Sequence, residues 1–192
     1  RFSLIAENGE RLVAKKVIVA TGGKASPALG SDGSGFDLLV SVGHECTRLS
    51  PAITHILTST KDVKPLQGIK FLGSASAIYH GKVIATLEGE VLFTSIGLSG
   101  PPIFQLSCLV ANKLCDEIWL DLMPELHLKD VADLLIERKT KLANMTMERY
   151  FSGLLNKRIG NLISRRAGIV KLSLPVSDLS YGQIHEMAKH IK

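Results

Sequence analysis

Residues 16–23 read Lys-Val-Ile-Val-Ala-Thr-Gly-Gly, and this stretch decides how the first part of the chain is expected to fold. Residues 17–20 form a short apolar run without alternation, which is typical of a strand buried on both faces of a parallel sheet. Gly22 and Gly23 allow a sharp turn and a close approach of the backbone to a ligand at the end of that strand. The stretch predicts the strand, glycine loop and helix of a nucleotide-binding unit, although an ordinary strand-to-loop turn fits an isolated T-G-G equally well.

The neighbouring residues extend this unit in both directions. Residues 2–6 and 11–14 are strand-like runs on either side of Asn8-Gly9, a strong hairpin signal. Residues 35–42 have helical spacing and stop at Gly43. The sequence therefore predicts a small antiparallel hairpin, a buried strand and a short helix within residues 1–50.

Two further motifs connect this unit to a known family. Residues 92–102 read Leu-Phe-Thr-Ser-Ile-Gly-Leu-Ser-Gly-Pro-Pro, and the preceding loop continues through Pro27, Gly30, Ser31, Gly33 and Gly35 to Gly43-His44. In this order the motifs resemble those of the BaiN/YhiN-like flavoproteins, over nearly the whole chain. These are FAD-dependent oxidoreductases whose Rossmann-type flavin domain is interrupted by a large inserted domain. Many relatives read Ser-Tyr-Pro where this chain has Ala25, Ser26 and Pro27, and have a His in place of Ser95, so no role that rests on that Tyr or His is transferred.

The resemblance implies a function and a set of contact residues. FAD would be the cofactor of the full-length protein, with NAD(P)H as a possible reductant, and hydride would pass to or from a small organic substrate. The residues implied to approach FAD are Ala20, Thr21, Gly22 and Gly23. Those implied to border the flavin or substrate pocket from the inserted domain are Thr94, Gly97, Ser99 and Gly100. Catalytic residues are not identified, and no metal site is expected.

A more specific expectation concerns the local structure at Ser99 and Gly100. Ser99 and Gly100 are predicted to form a tight turn that opens a helix, whose free backbone N–H groups could face a flavin or an anionic substrate, or could simply cap the helix. A Cβ at Gly100 would then obstruct the ligand, or strain a positive φ. Under that hypothesis Gly100→Ala lowers turnover far more than stability.

One expected element is missing from the sequence. No G-x-G-x-x-G followed by an acidic residue occurs, although an FAD-binding Rossmann half needs it to hold the pyrophosphate. The chain also begins at Arg1, directly in a strand pattern. We therefore expect a piece of a longer flavoprotein that does not hold FAD in isolation and whose partner is the remainder of the flavin domain.

Composition narrows the class of protein. The 192 residues are 45% apolar and 21% charged, with a net charge of +5. No apolar run approaches the roughly 18 residues of a spanning helix, and no signal peptide opens the chain, so no membrane partner is expected. Three cysteines without a C-x-x-C pattern suit the reducing cytoplasm, and they are expected to act as small buried hydrophobes: Cys46, Cys108 and Cys115.

The remaining residues predict an α+β fold. Residues 51–123 contain regular short β-rich runs, the first over residues 53–60, with Gly81 and Gly89 at expected hairpin turns, which predicts a small antiparallel barrel or sandwich. Residues 117–122 alternate as a strand, with Trp119 on the face opposite to Ile118, Leu120 and Leu122. A helix is expected to begin at Pro101-Pro102. Residues 124–192 have helical spacing and predict an appended bundle, in which Thr146 is expected to cap a helix over residues 147–155 and Ser180 to cap the last helix. The region from residue 51 onward, with both its cores complete, is expected to fold independently of the partial Rossmann-type segment 1–50.

Other kinds of site fit the sequence less well. No histidine pair has metal-binding spacing, and Ser99 lacks the G-x-S-x-G of a nucleophile elbow. The densest cluster of basic residues consists of Lys157, Arg158, Arg165, Arg166 and Lys171. It allows a non-enzymatic module that binds RNA or a protein partner. Because no aromatic residue is interleaved for base stacking, a solvated helix face is favoured and nucleic acid is not expected. A third possibility is that the insert is mainly a lid or dimer contact.

Overall fold

The chain divides between Leu49 and Ser50 into two structural units, and the computed structural model describes residues 1–192. In the first unit, strands β1 (Phe2–Ile5) and β2 (Arg11–Ala14) pair antiparallel. Gly9 turns the chain between them with a φ of 84°, and its N–H donates to Ala6 O at 2.8 Å. The predicted hairpin is confirmed.

The strand predicted over residues 17–20 does not form in this chain. These residues have no regular secondary structure, and the Ile18 side chain is 91% exposed. A strand needs a neighbour to satisfy its backbone N–H and C=O groups, and neither β1 nor β2 pairs with this segment. A 3₁₀ turn (Pro27–Leu29) and helix α1 (Ser34–Ser41) complete the unit. No large apolar side chain of this unit is buried.

The second unit contains a five-stranded antiparallel sheet, curled into a half-barrel. The spatial order is β3-β6-β5-β4-β7, so β3 and β7 are its two edges. We call it the half-barrel sheet; its strands are β3 (Ile56–Leu57), β4 (Lys70–Tyr79), β5 (Lys82–Phe93), β6 (Gly97–Ser99) and β7 (Glu117–Asp121). The predicted α+β class is confirmed.

Two details of the strand prediction are wrong. The run over residues 53–60 gives only the two-residue β3, because Thr60 already begins a helix. Gly89 does not turn a hairpin but lies inside β5, opposite Gly73, whereas Gly81 does make the predicted turn with a φ of 74°. A Cβ at Gly89 would lie 3.2 Å from the Pro102 ring, so this glycine allows a close approach to the following helix.

Six helices accompany the half-barrel sheet. They are α2 (Thr60–Val63), α3 (Pro101–Ala111), α4 (Leu128–Lys141), α5 (Met147–Tyr150), α6 (Lys157–Arg166) and α7 (Tyr181–Ile191). The 3₁₀ turns Lys64–Leu66 and Val176–Asp178 connect them. Pro101 and Pro102 begin α3 as predicted, and Ser180 caps α7 in a capping box with Gln183. Helix α5 ends at Tyr150, earlier than the predicted residue 155. None of the helices has the length and apolar character needed to cross a membrane.

The sheet and the helices of the second unit share one continuous core, not two. Val91 of β5, Ile103 of α3, Leu135 of α4 and Ile184 of α7 are all completely buried and belong to the same cluster. The unit also closes on itself at its end, since Leu122 N–H donates to Ile191 O at 2.9 Å. The core is continuous because the helices cover the apolar face of the sheet, which has no second sheet to cover it.

Candidate functional site

The glycine loop of residues 20–23 keeps an open backbone. Gly22 has a φ of 74°, and no protein atom lies within 4 Å of the position that a Cβ on Gly23 would occupy. The backbone N–H groups of Thr21, Gly22 and Gly23 donate to no other protein group. The Thr21 side chain fills the space beside Gly35 in the first turn of α1. The loop therefore lies against the helix that follows it and leaves three donors for a ligand.

The N-terminus of α1 itself is occupied by a carboxylate of the chain. Asp32 Oδ1 accepts a hydrogen bond from Ser34 N–H at 2.9 Å, and this bond lowers the pKa of the Asp32 carboxyl below its ordinary value. A negative charge at this position stabilises a helix N-terminus and repels a second anion. Any contact with a phosphate would therefore come from the backbone of the glycine loop and not from α1.

The second group of predicted residues forms one closed turn between β5 and β6. Thr94 N–H donates to Gly97 O at 2.8 Å, and Gly97 N–H donates to Thr94 Oγ1 at 3.0 Å. Ser99 is buried at the end of β6, and Gly100 follows as the N-cap of α3 with a φ of 109°. The structure thus brings Thr94, Gly97, Ser99 and Gly100 together, and the turn itself satisfies the backbone donors of Thr94 and Gly97.

The two glycines of this turn are required by the packing of the protein. A Cβ at Gly97 would collide with the carbonyl of Ile56 on β3, and a Cβ at Gly100 would collide with the carbonyl of Glu90 on β5. Both neighbours are backbone atoms, which cannot move aside as a flexible side chain can. Gly100→Ala should therefore lower stability through packing alone, and the hypothesis that it lowers turnover far more than stability stays a prediction.

The start of α3 is also a weaker anion site than predicted. Pro101 and Pro102 have no N–H, and Phe104 N–H already donates to Gly100 O at 2.9 Å. The next donor, on Ile103, belongs to a completely buried residue. The first turn of α3 therefore cannot present a set of free N–H groups. The two prolines would have been sufficient to predict this from the sequence.

Three of the five residues in the basic cluster form hydrogen bonds or ion pairs with other groups of the protein. Arg158 donates to Pro65 O at 3.1 Å and to Gln67 O at 3.2 Å, which joins α6 to the segment after α2. Arg166 forms an ion pair with Asp62 on α2, and Lys157 pairs with Glu148 at 2.7 Å. Both arginines are exposed, in agreement with the predicted solvated face, but their side chains also contact distant groups of the protein. Their partners are about 90 to 100 residues away, so helical spacing could not reveal them.

The cysteines differ from their predicted environment. Cys46 and Cys108 are exposed rather than buried, and only Cys115 is partly buried. Burial raises the pKa of the Cys115 thiol above its ordinary value. No three residues among the histidines, cysteines, aspartates and glutamates come close enough to hold a metal ion.

The second unit also contains a cavity of about 670 Å³, which the sequence did not predict. Its lining comes from β5, β6, β7, α2, α4, α6 and α7, and includes Trp119, the only tryptophan of the chain. The alternation of β7 indicated that Trp119 points away from the core, which is the single local signal of this cavity. Lining residues from so many elements cannot be grouped from their spacing along the chain.

Comparison with known proteins agrees with this architecture. Residues 50–192 match the family model described as HI0933-like protein barrel and H2TH domain. Over 195 aligned residues, the chain is 29% identical to the 3-dehydro-bile acid delta(4,6)-reductase of Clostridium scindens. This alignment includes 98% of the chain but only 47% of the reductase, so the chain spans about half the length of that relative. The resemblance to BaiN/YhiN-like flavoproteins is confirmed at the level of the family, and the chain belongs to the HI0933-like proteins.

Proposed function

We propose that the chain is part of a flavoprotein oxidoreductase that transfers hydride through FAD to or from a small organic substrate. The observation that supports this most directly is the similarity over 98% of the chain to a protein named as a reductase. When bound, FAD would supply the hydride chemistry, with NAD(P)H as the proposed reductant. The chain's own residues would bind and orient the cofactor and exclude water.

The open glycine loop fits the cofactor role proposed for Ala20, Thr21, Gly22 and Gly23. Three backbone N–H groups without protein partners can donate to ribose or phosphate oxygens, and the free space beside Gly23 allows a close approach. The chain lacks the G-x-G-x-x-G fingerprint, so these residues would make only part of the FAD site. The 192-residue chain alone is therefore proposed not to retain FAD.

The exposed apolar surface of the first unit supports the remainder of a flavin domain as its partner. Several large apolar side chains there are at least half exposed, which is unusual for a surface in contact with water: Phe2, Ile5, Val13, Ile18, Leu29 and Val42. Further strands of a Rossmann-type sheet would pair with residues 17–20 and cover these side chains. The first unit would then form part of a complete nucleotide-binding domain.

The turn at Thr94–Gly100 is proposed as an edge of the flavin or substrate pocket. The backbone donors of Thr94 and Gly97 are already satisfied and both glycines lie against backbone neighbours, so the turn would act as a rigid wall and not as an anion site. The three unpaired thiols agree with the cytoplasm as the proposed location. Nucleic acid is not proposed as a partner, because Arg158, Arg166 and Lys157 already bind other groups of the protein.

The test is the flavin content of the full-length protein that contains this chain. We expect it to purify with bound FAD, and we expect Gly23→Val to lower the ratio of FAD to protein several-fold. The thermal stability of the flavin-free protein should change little, since no atom of the 192-residue chain lies within 4 Å of the Cβ position at residue 23. Gly182→Ala is the matched control, a glycine without positive φ on α7, and should leave FAD content unchanged. Full-length protein that binds no flavin, even when reconstituted with FAD, would overturn the proposal.

A further inference from the structure

The cavity in the Ser50–Lys192 unit has mostly apolar walls and a suitable size for a small organic molecule. The sheet contributes Phe93, Leu98 and Leu120 to its lining, and α6 contributes Ile159 and Leu162. Its volume of about 670 Å³ falls within the range of about 300–1,000 Å³ that is typical of small-molecule sites. A hydrocarbon body can therefore fill this cavity and lose its contact with water.

A second hollow, which we call the basic groove, adjoins the cavity. It has a volume of about 660 Å³, and the two share Asp62, Leu66, Leu162 and Arg166 in their linings. The other charged residues of the groove are all basic: Lys61, Arg158 and Arg165. With Asp62 as its single acidic residue, the groove has a positive charge next to an apolar space.

Two of the groove's cationic side chains contact no other polar group of the protein. Arg158 is held by backbone carbonyls and Arg166 by Asp62, whereas Lys61 and Arg165 form no ion pair or side-chain hydrogen bond. Lys61 belongs to α2 and Arg165 to the last turn of α6, so both elements contribute charge to one groove. These two side chains are free to bind an anionic group.

We propose that this pair of hollows binds an amphipathic anion, with its hydrocarbon body in the cavity and its carboxylate or phosphate head group in the basic groove. The head group lies next to Arg166, where the two hollows meet, and is held by Lys61 and Arg165. This binding uses only residues of the second unit. It does not depend on the flavin function proposed above, and the two can fail separately.

Trp119 provides a direct measurement on the 192-residue chain. It is the only tryptophan, it lines the cavity and its side chain is partly accessible, so its fluorescence reports a ligand that enters. The probes are dodecanoate, dodecyl phosphate and dodecan-1-ol, each titrated below the concentration at which it aggregates. We expect saturable one-to-one binding of both anions, with a Kd at least tenfold lower than that of the alcohol. The tighter of the two anions identifies the preferred head group.

Two sets of variants assign the two halves of the site. Lys61→Gln combined with Arg165→Gln should weaken binding of the anions about tenfold and leave binding of the alcohol unchanged. Lys171→Gln is the control and should have no effect, since Lys171 is an exposed lysine outside both hollows.

Leu128→Glu places a carboxylate in the cavity wall at the first position of α4, where a negative charge is favourable for the helix. It should abolish anion binding while the protein stays folded. Leu174→Glu is the control, since Leu174 is 41% exposed against 45% for Leu128 and lines neither hollow.

Three results would overturn the proposal. They are the absence of saturable fluorescence change with either anion, equal affinity for dodecanoate and dodecan-1-ol, and anion binding that persists in Leu128→Glu. Circular dichroism and thermal melts of every variant separate a lost site from a lost fold. If Leu128→Glu does not fold, the Lys61→Gln and Arg165→Gln double variant decides, and unchanged anion affinity in that variant overturns the proposal.

Discussion

Gly100 lies directly against the backbone carbonyl of Glu90, in the strand that precedes the turn into α3. The contact leaves no room for a Cβ, and Gly100 has a φ of 109°. Both facts make glycine the residue that this position requires, whatever ligand the neighbouring pocket holds. The motif Gly-Leu-Ser-Gly-Pro-Pro is thus at least partly a structural motif, which allows the half-barrel sheet to pass closely beneath the start of α3.

The first prediction follows from that contact. Gly100→Ala should destabilise the fold by about 2–4 kcal/mol, the sum of a positive-φ penalty and a forced backbone displacement. Chemical denaturation of the 192-residue chain measures this. Gly168→Ala is the control, because Gly168 has a φ of 82° but no atom within 4 Å of its Cβ position, so only about 1 kcal/mol should be lost. Equal losses in the two variants would contradict the collision with Glu90.

The second prediction concerns the buried Tyr150. Its hydroxyl donates to Leu135 O at 2.5 Å, and the side chain is completely buried. Tyr150→Phe should therefore lower the free energy of unfolding by about 1–2 kcal/mol at neutral pH. Urea unfolding measures this loss. Tyr181→Phe, at an exposed position, should change stability by much less.

The same tyrosine predicts a pH dependence. Burial raises the pKa of Tyr150 well above its ordinary value of 10.0, because the phenolate would be desolvated. The raised pKa means that Tyr150 favours the folded state below pH 10, and that this contribution is lost at higher pH as the unfolded chain ionises. Above pH 10, ionisation of Tyr150 in the unfolded chain should lower the free energy of unfolding of the wild type by about 1.4 kcal/mol per pH unit. Tyr150→Phe should lack this contribution. A stability gap between the two that stays constant from pH 8 to about pH 11 would contradict this.

The third prediction tests Arg158 as a clamp between α6 and the segment after α2. Arg158→Lys should destabilise the chain by about 1 kcal/mol, because an ammonium group cannot reproduce the planar fork that reaches Pro65 O and Gln67 O together. Arg165→Lys, on the same helix without a protein partner, should leave the unfolding midpoint unchanged. The clamp would be refuted if both substitutions had the same effect.

The fourth prediction concerns thiol reactivity. Cys46 and Cys108 are exposed, whereas Cys115 is partly buried and its thiol pKa is raised by burial. The thiolate is the reactive form, so two thiols should react quickly with a disulfide reagent and one slowly at neutral pH. Cys115→Ser should remove the slow phase only. Three equal rates in the folded protein would show that Cys115 is more accessible than its surroundings indicate.

Local signals were sufficient for the elements whose cause lies within a few residues. Asn8-Gly9 determines the hairpin because a tight turn needs a residue that accepts a positive φ. Pro101-Pro102 begins α3 because proline at the first positions of a helix loses no hydrogen bond. Ser180 begins α7 because its hydroxyl accepts the N–H of Gln183. Each of these was predicted from the residues alone.

Only the tertiary structure decided the features that depend on distant partners. Residues 17–20 have the composition of a buried strand, but composition cannot supply the neighbouring strand that its backbone needs. Gly89 and Gly100 are adjacent to Pro102 and Glu90 through the curvature of the sheet, which no local pattern encodes.

The same division applies to the candidate sites. The glycine loop of residues 20–23 could be identified from the sequence, because an open backbone needs only glycine. The apolar cavity and the basic groove could not, since Lys61 and Arg165 are brought together only when α2 packs near α6. The sequence thus determined each element and its end points wherever a turn or a cap was sufficient. The arrangement of charge and apolar surface was decided by packing, because it depends on which distant residues share a surface.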